Sequence, residues 1–271
     1  MRASAAAKIN LALVVGPKRD DDKHDVVTVY QRIGIADRLD LDAAPELLVE
    51  GFPGDTLVRG ALEALAERAG VEPNWHVRIE KRLPVAAGIG GGSSDAATAL
   101  RLANSTLPQS LADDDLRDLA AGIGADVPFF LADGPQLGTG DGTALSPLDL
   151  PQDFWVLLVV PRSVQKPSTA AVYADFDVRA GHLGFEDRRA ALLEAVEQVR
   201  RPRDLAALPP NDLATSPISA ELLGLGAFRA DVSGAGPSVY GLFHHKPQAK
   251  AAQRELKGRG DTWLTAPAWY G

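Results

Sequence analysis

The stretch "AAGIGGGSSDAA", Ala86 to Ala97, sets Gly88, Gly90, Gly91 and Gly92 ahead of Ser93, Ser94 and an alanine-rich run. It leaves a strand-like segment, "HVRIEK", and opens a helix-like one, "SSDAATALRLAN". The first N–H groups of a helix have no partner inside it and carry partial positive charge. Glycines before them let the backbone approach a ligand closely. The predicted chemistry is an anion cradle suited to phosphate. Ser93 and Ser94 can cap the helix or donate to phosphate oxygens, and Ser94 is the candidate for a Mg²⁺ contact through its hydroxyl. No G-x-x-x-x-G-K-[ST] occurs, and the dinucleotide fingerprint breaks at Ser93. Asp126, between Gly124 and the apolar run Val127 to Leu131, reads equally as a shielded general base and as a helix cap before Pro128. Lys8 and Asn10 share one face of the alternating segment "AKINLALVV", with Ile9, Leu11, Leu13 and Val15 on the other. The adjacent His244 and His245 face opposite ways on extended chain and make a poor metal site.

Strands and helices must hold these groups in place. "VVTVYQRIGI" reads as a second strand, and Asp55 to Gly70 as a helix with Asp55 as its N-cap. Helices are expected over about Ser94 to Asn104 and Asp114 to Ala121. "ALSPLDLPQD" reads as a domain junction, giving domains at 1–150 and 151–271. Beyond it come "FWVLLVV", a helix at Glu186 to Arg200, "FRADVS", "SVYGLF", a helix at Gln248 to Lys257 and "DTWLTA". Short helices are expected near Ser168 to Tyr173 and Ile218 to Leu223. The order strand, helix, strand, strand, helix, strand predicts a ferredoxin-like, split-βαβ half.

The chain has 271 residues, 45% of them hydrophobic, enough for a substantial core without staples. It has no cysteine, which excludes disulfides and thiolate metal sites and fits a reducing, cytoplasmic setting. A net charge of -8 argues against a nucleic-acid surface. Lys8 and Asn10 interrupt the N-terminal apolar stretch, so neither a signal peptide nor a membrane span is predicted.

"LPVAAGIGGGSSDAA" resembles the ATP-binding motif of the GHMP kinases (galactokinase, homoserine kinase, mevalonate kinase, phosphomevalonate kinase). "AKINLAL" at Ala7, "GADVPFFL" at Gly124, "NDL" at Asn211 and "SGAGPSVYG" at Ser233 agree with it in order and spacing. These stretches are most similar to the branch that phosphorylates the 2-hydroxyl of a cytidine diphosphate-linked methylerythritol in isoprenoid-precursor synthesis. The resemblance implies an α+β fold of two domains. The N-terminal one is mixed α/β and carries the phosphate loop; the C-terminal one is ferredoxin-like. It implies ATP and Mg²⁺ as cofactors, and a small-molecule substrate with a cytidine diphosphate group. It implies no nucleic acid, no membrane and a monomer or weak homodimer. Lys8 and Asp126 become the catalytic pair. Pro84, Val85, Ala86, Ala87, Gly88, Ile89, Gly90, Gly91, Gly92, Ser93 and Ser94 become the ATP loop. Asn10, His24, Tyr30, Asp141 and Tyr173 become substrate contacts, His24 toward the cytosine ring and the tyrosines about it. The "SGAGP" turn is implied to close on the phosphate loop. Three positions depart from the pattern: Ala235 stands for a serine in the "SGAGP" turn, and Asp22 for a glycine and Lys23 for a tyrosine just before His24. Asp22 and Lys23 leave room for two rival readings, a family member acting on another small alcohol and a nucleotide-binding homologue without turnover.

Overall fold

Alternation of apolar and polar residues builds the longest elements, β1 (Arg2–Lys18) and β2 (His24–Ala43), which pair antiparallel along almost their whole length. The computed structural model describes residues 1–54, 57–162 and 168–269. Asp55, the expected N-cap, lies outside the described residues. The first half continues with β3 (Leu48–Glu50), α1 (Leu57–Ala69), β4 (Trp75–Glu80), α2 (Gly91–Asn104), α3 (Asp113–Ile123), α4 (Val127–Leu131), β5 (Gln136–Thr139) and β6 (Ala144–Pro147). One edge of β2 carries β1. The other is divided, with residues 38–43 pairing to β4 and residues 28–30 to β5. The sheet runs β3–β4–β2–β5–β6, with β3 and β4 parallel.

α1 buries Val58, Ala61, Leu62, Leu65 and Ala66, the one-face spacing of an amphipathic helix. Each fully buried leucine contributes roughly 1.5–3 kcal/mol. α2 differs: it is buried from Ser94 through Leu100 and again from Leu102 to Asn104. It packs on β1 and β2 as well as on α1 and α4, and its many alanines permit that close approach.

The second half holds β7 (Trp155–Pro161), α5 (Thr169–Val178), α6 (Phe185–Gln198), α7 (Pro217–Gly224), β8 (Arg229–Val232), β9 (Val239–Phe243), α8 (Lys246–Glu255) and β10 (Gly260–Thr265). Its sheet is antiparallel in the order β10–β7–β9–β8. That is the split-βαβ arrangement expected from the order of elements. The first sheet ends at Pro147 and the second begins at Trp155. The second half also leans on β1: Tyr240 donates its hydroxyl to the Leu11 carbonyl at 3.2 Å, and the Asp212 amide donates to the Leu13 carbonyl at 2.9 Å.

β1 corrects the expected face. Ile9 and Leu11 share one core with Ala12 and Val14, whereas Leu13 and Val15 belong to another. The register slips between Asn10 and Ala12, where two residues of β1 oppose one step of β2. A bulge of this kind inverts the alternation beyond it. Leu13 is thereby turned to the cavity described next.

Candidate active site

α2 starts earlier than the sequence suggests. Its N-cap is Gly90, in the left-handed region at φ 72°, with no side-chain cap. The serines therefore sit inside the first turn. Ser94 is the first whose amide bonds back, to the Gly90 carbonyl at 2.8 Å. The amides of Gly91, Gly92 and Ser93 have no intrahelical acceptor and carry the positive end of the helix. All three residues line a cavity of about 870 Å³.

Two of the glycines are required by the protein's own packing. A Cβ on Gly88 (φ 79°) would lie 2.6 Å from the carbonyl oxygens of both Ser233 and Gly236. A Cβ on Gly90 would meet the Phe130 ring at 2.8 Å and the Lys8 stem at 3.0 Å. The turn between β8 and β9, "SGAGP", is thus seated on the phosphate loop. Ser233 donates its hydroxyl to the Gly88 carbonyl at 3.0 Å, and the Ser238 amide donates to the Ala87 carbonyl at 3.1 Å. Asn211 holds that turn, donating from Nδ2 to the carbonyls of Val232 (2.9 Å) and Gly234 (2.7 Å).

Lys8 is no solvated edge lysine: its side chain is 4% exposed. A buried ammonium needs partners. It has Asp126 at 3.2 Å and donates to Asn10 Oδ1 at 2.7 Å. Asn10 in turn donates to the Thr28 hydroxyl at 2.8 Å, which fixes its amide. Asp126 is the N-cap residue of α4 by position, yet its side chain accepts no capping bond, and it remains 31% exposed toward the cavity. Tyr30 closes this end, stacked on Phe129 at 4.9 Å with the Lys8 ammonium 5.4 Å from its ring. Burial, then the charge of Asp126, pushes the Tyr30 hydroxyl well above its ordinary range. It stays a neutral donor.

Along β2 from Tyr30, Thr28 and Val26 lead on the same face to His24, roughly 20 Å of extended strand. His24 lies 4.9 Å ring to ring from Tyr173 of α5 and edge-on to Phe176 at 6.0 Å. Burial and the charge of Asp126 raise the Tyr173 phenol to about 12. The turn before His24 passes through Asp22. That residue takes the left-handed conformation at φ 64°, which aspartate tolerates better than most side chains. Lys23 reaches across to Asp141, between β5 and β6, with Nζ 2.5 Å from Oδ2. Burial works against the Asp141 charge, but Lys23 and the hydroxyl and amide of Thr143 outweigh it, holding the carboxyl down to about 2.

Every expected ATP-loop and substrate residue lines this one cavity except Ser94. Ser94 is 1% exposed and sits deeper in the helix, so Ser93 presents the hydroxyl. The sequence reading missed Lys81. Its ammonium pairs with the sealed carboxylates of Asp37 and Asp95, at 2.8 Å for Asp95. Burial opposes its charge, and the two aspartates more than restore it, so its pKa is raised. Asp37 also accepts from the amides of Arg82 (2.5 Å) and Leu83 (2.8 Å), clamping the strand exit that leads into the loop. "KRLPV" gave the lysine but not its partners, 44 residues before and 14 after in the chain. Asp177, facing His24, was missed as well. Among the described residues no group of three or more His, Cys, Asp or Glu could hold a metal ion, and no helix is long and apolar enough to cross a membrane.

The family model "GHMP kinases N terminal domain" matches residues 56–134, and "GHMP kinases C terminal" matches residues 214–262. A 4-diphosphocytidyl-2-C-methyl-D-erythritol kinase of Kineococcus radiotolerans is 39% identical over 94% of this chain and 85% of its own. One of Chlorobium phaeobacteroides is 34% identical over 97% and 96%. The crystal structure of a 4-(cytidine 5'-diphospho)-2C-methyl-D-erythritol kinase superposes with a TM-score of 0.79, 29% identity and 99% coverage of both chains. The mevalonate kinase of Methanococcus jannaschii, at 12% identity, shares the fold with a TM-score of 0.72 over 100% of this chain and 98% of its own.

Proposed function

This chain belongs to the 4-diphosphocytidyl-2-C-methyl-D-erythritol kinases of the GHMP family, and from that premise we propose that it moves the γ-phosphate of ATP to the 2-hydroxyl of the cytidine diphosphate-linked alcohol. The observation that carries this reading is the Lys8–Asp126 pair, 3.2 Å apart, set in one cavity between a helix N-terminus and the His24–Tyr173 ring pair. One end offers main-chain donors to a polyphosphate. The other offers flat, half-polar surface to a base. The reacting pair lies where the two would meet.

Phosphoryl transfer asks for alignment and for relief of charge more than for covalent help. Asp126 accepts the proton of the acceptor hydroxyl, or orients it, and aims that oxygen at the terminal phosphate. Lys8 offsets negative charge as it builds on the attacking oxygen. Asn10 holds the ammonium by accepting one of its hydrogens. The amides of Gly91, Gly92 and Ser93 meet the phosphate oxygens. Mg²⁺ in such reactions neutralises charge between the phosphates and keeps most of its shell in water and phosphate oxygen. The Ser93 hydroxyl and the Asp126 carboxylate, both on the cavity wall, fit that sparse demand and would hold it. The domains are proposed to divide near residue 150, with the acceptor between them.

The test is an ADP-release assay with a panel of acceptors: the CDP-linked alcohol, homoserine, mevalonate and galactose. Turnover of the CDP-linked alcohol above all others is expected. Turnover of another alcohol alone would move the acceptor assignment and keep the kinase; no turnover of any, with ATP still bound, would make this a binding module.

A further inference from the structure

We infer that Asp177 is a positioning residue that sets the hydrogen-bond character of His24, and through it the choice of pyrimidine. The inference rests on the proposed function for where the base lies. It adds a residue and a mechanism of selection to that reading.

His24 Nε2 lies 2.8 Å from Asp177 Oδ1. An ionised carboxylate only accepts, so the hydrogen between them belongs to Nε2. In the neutral ring the other nitrogen, Nδ1, is then an acceptor. Nδ1 has no hydrogen-bond partner among the described residues, and it is not sealed from solvent. His24 and Asp177 both line the cavity, and we place Nδ1 toward it. The ring itself is wedged: Tyr173 lies against it at 4.9 Å, and Phe176 meets it edge-on at 6.0 Å. His24 is 7% exposed, so the ring has little freedom to flip and exchange its nitrogens. With the ring neutral, the pocket presents one fixed acceptor beside an aromatic face.

A fixed acceptor distinguishes the pyrimidines. Cytosine carries an amino donor at position 4, where uracil carries a carbonyl acceptor. Nδ1 pairs with the first and sets lone pair against lone pair with the second. Uracil could offer its N3–H only by sliding one ring atom along. Were Nε2 the acceptor and Nδ1 protonated, the preference would invert. The carboxylate of Asp177, 42% exposed at the rim, holds the ring in the state that reads an amino group.

The experiment compares the wild type with Asp177→Ala and Asp177→Glu. Turnover is measured with the CDP-linked and UDP-linked alcohols, and binding of CDP and UDP by calorimetry. Nitrogen-15 spectra of the histidines report the tautomer of His24. Wild type should show Nε2–H and prefer the cytidine ligands. Asp177→Ala should show mixed tautomers and lose about tenfold in the cytidine-to-uridine ratio, the worth of one hydrogen bond. The ratio should fall mainly through KM, with kcat little changed. Glu, still an acceptor and with room at the rim, should restore both ratio and spectrum. A general loss of folding would lower both ligands alike and leave the ratio unchanged. Wild-type turnover of the CDP-linked alcohol with a ratio that Asp177→Ala does not move would overturn the inference alone. A wild type that turns over no CDP-linked alcohol yet binds CDP over UDP through Asp177 would sink the proposed function and support the inference. Equal binding of CDP and UDP by wild type would overturn it.

Discussion

The two ends of the cavity are built from different materials. The phosphate end is main chain: Gly88 to Ser93, tucked under the carbonyls of Ser233 and Gly236 and over Phe130. The base end is side chain: His24, Tyr173, Asp177, and the Lys23–Asp141 pair across the rim. Every residue has a peptide N–H, so a donor array made of backbone depends on shape. Its tolerance is set by what packs behind it. A surface made of side chains depends on identity, and one substitution alters what it reads. The departures from the resembling pattern fall at both ends, Ala235 in the "SGAGP" turn that seats on Gly88 and Asp22 and Lys23 beside His24. Asp22 takes the left-handed conformation, and Lys23 finds a carboxylate instead of offering a ring.

Five changes would break or sharpen that contrast. The largest loss of stability should come from Lys81→Met. It strips the shared cation from Asp37 and Asp95, both 0% exposed. Removing one side of a buried ion pair costs about 3–5 kcal/mol, read as a shift in the urea midpoint. A change under 1 kcal/mol would show that the phosphate loop does not depend on this cluster. Next is Asp126→Asn, which should keep ATP affinity while turnover falls roughly 10²-fold or more. Normal turnover would remove Asp126 from its role. Gly88→Ala should then cost about 2 kcal/mol, because both the left-handed backbone and two main-chain oxygens resist a Cβ. Measured by denaturation, a neutral result would mean that the loop and the "SGAGP" turn can part without cost.

The smallest effect belongs to the rim. The Asp141 carboxyl is held down to about 2, below an unfolded value of about 3.9. A depressed folded pKa stabilises the fold fully above the unfolded value, and the gain fades as pH falls through the folded one. The stability difference between wild type and Asp141→Asn should therefore be constant from pH 7 to 5 and shrink between about pH 4 and 2. Lys23 is 53% exposed, so at neutral pH Lys23→Ala should cost under about 1 kcal/mol and less in high salt. A flat difference across that acid range would mean that Asp141 titrates normally.

Local patterns were legible because they are local. The glycine run before an alanine-rich helix announced a loop and helix start that line the cavity. The second half followed from its order of strands and helices. Lys8 and Asn10 fell on one face because only one residue separates them, short of the bulge. Beyond Leu11 the same rule misplaced Leu13 and Val15, since a bulge depends on how the partner strand is met. The glycines were read for ligand approach, yet Gly88 and Gly90 are small because of Gly236 and Phe130, residues far away in the chain. Lys81 looked like one of many lysines until folding brought Asp37 and Asp95 to it. Asp177 had no signal at all: it is one aspartate in "ADFD", 153 residues from the histidine it meets.

The sequence by itself determined the kind of chemistry, because a helix start stripped of side chains and an aspartate before a proline carry their properties wherever they lie. Only the tertiary structure decided the pairings: Lys8 with Asp126, Lys81 between two carboxylates, His24 against Asp177. Charge state and tautomer are properties of a neighbourhood, and the neighbours here come from distant parts of the chain, for His24 and Asp177 from opposite halves of the molecule.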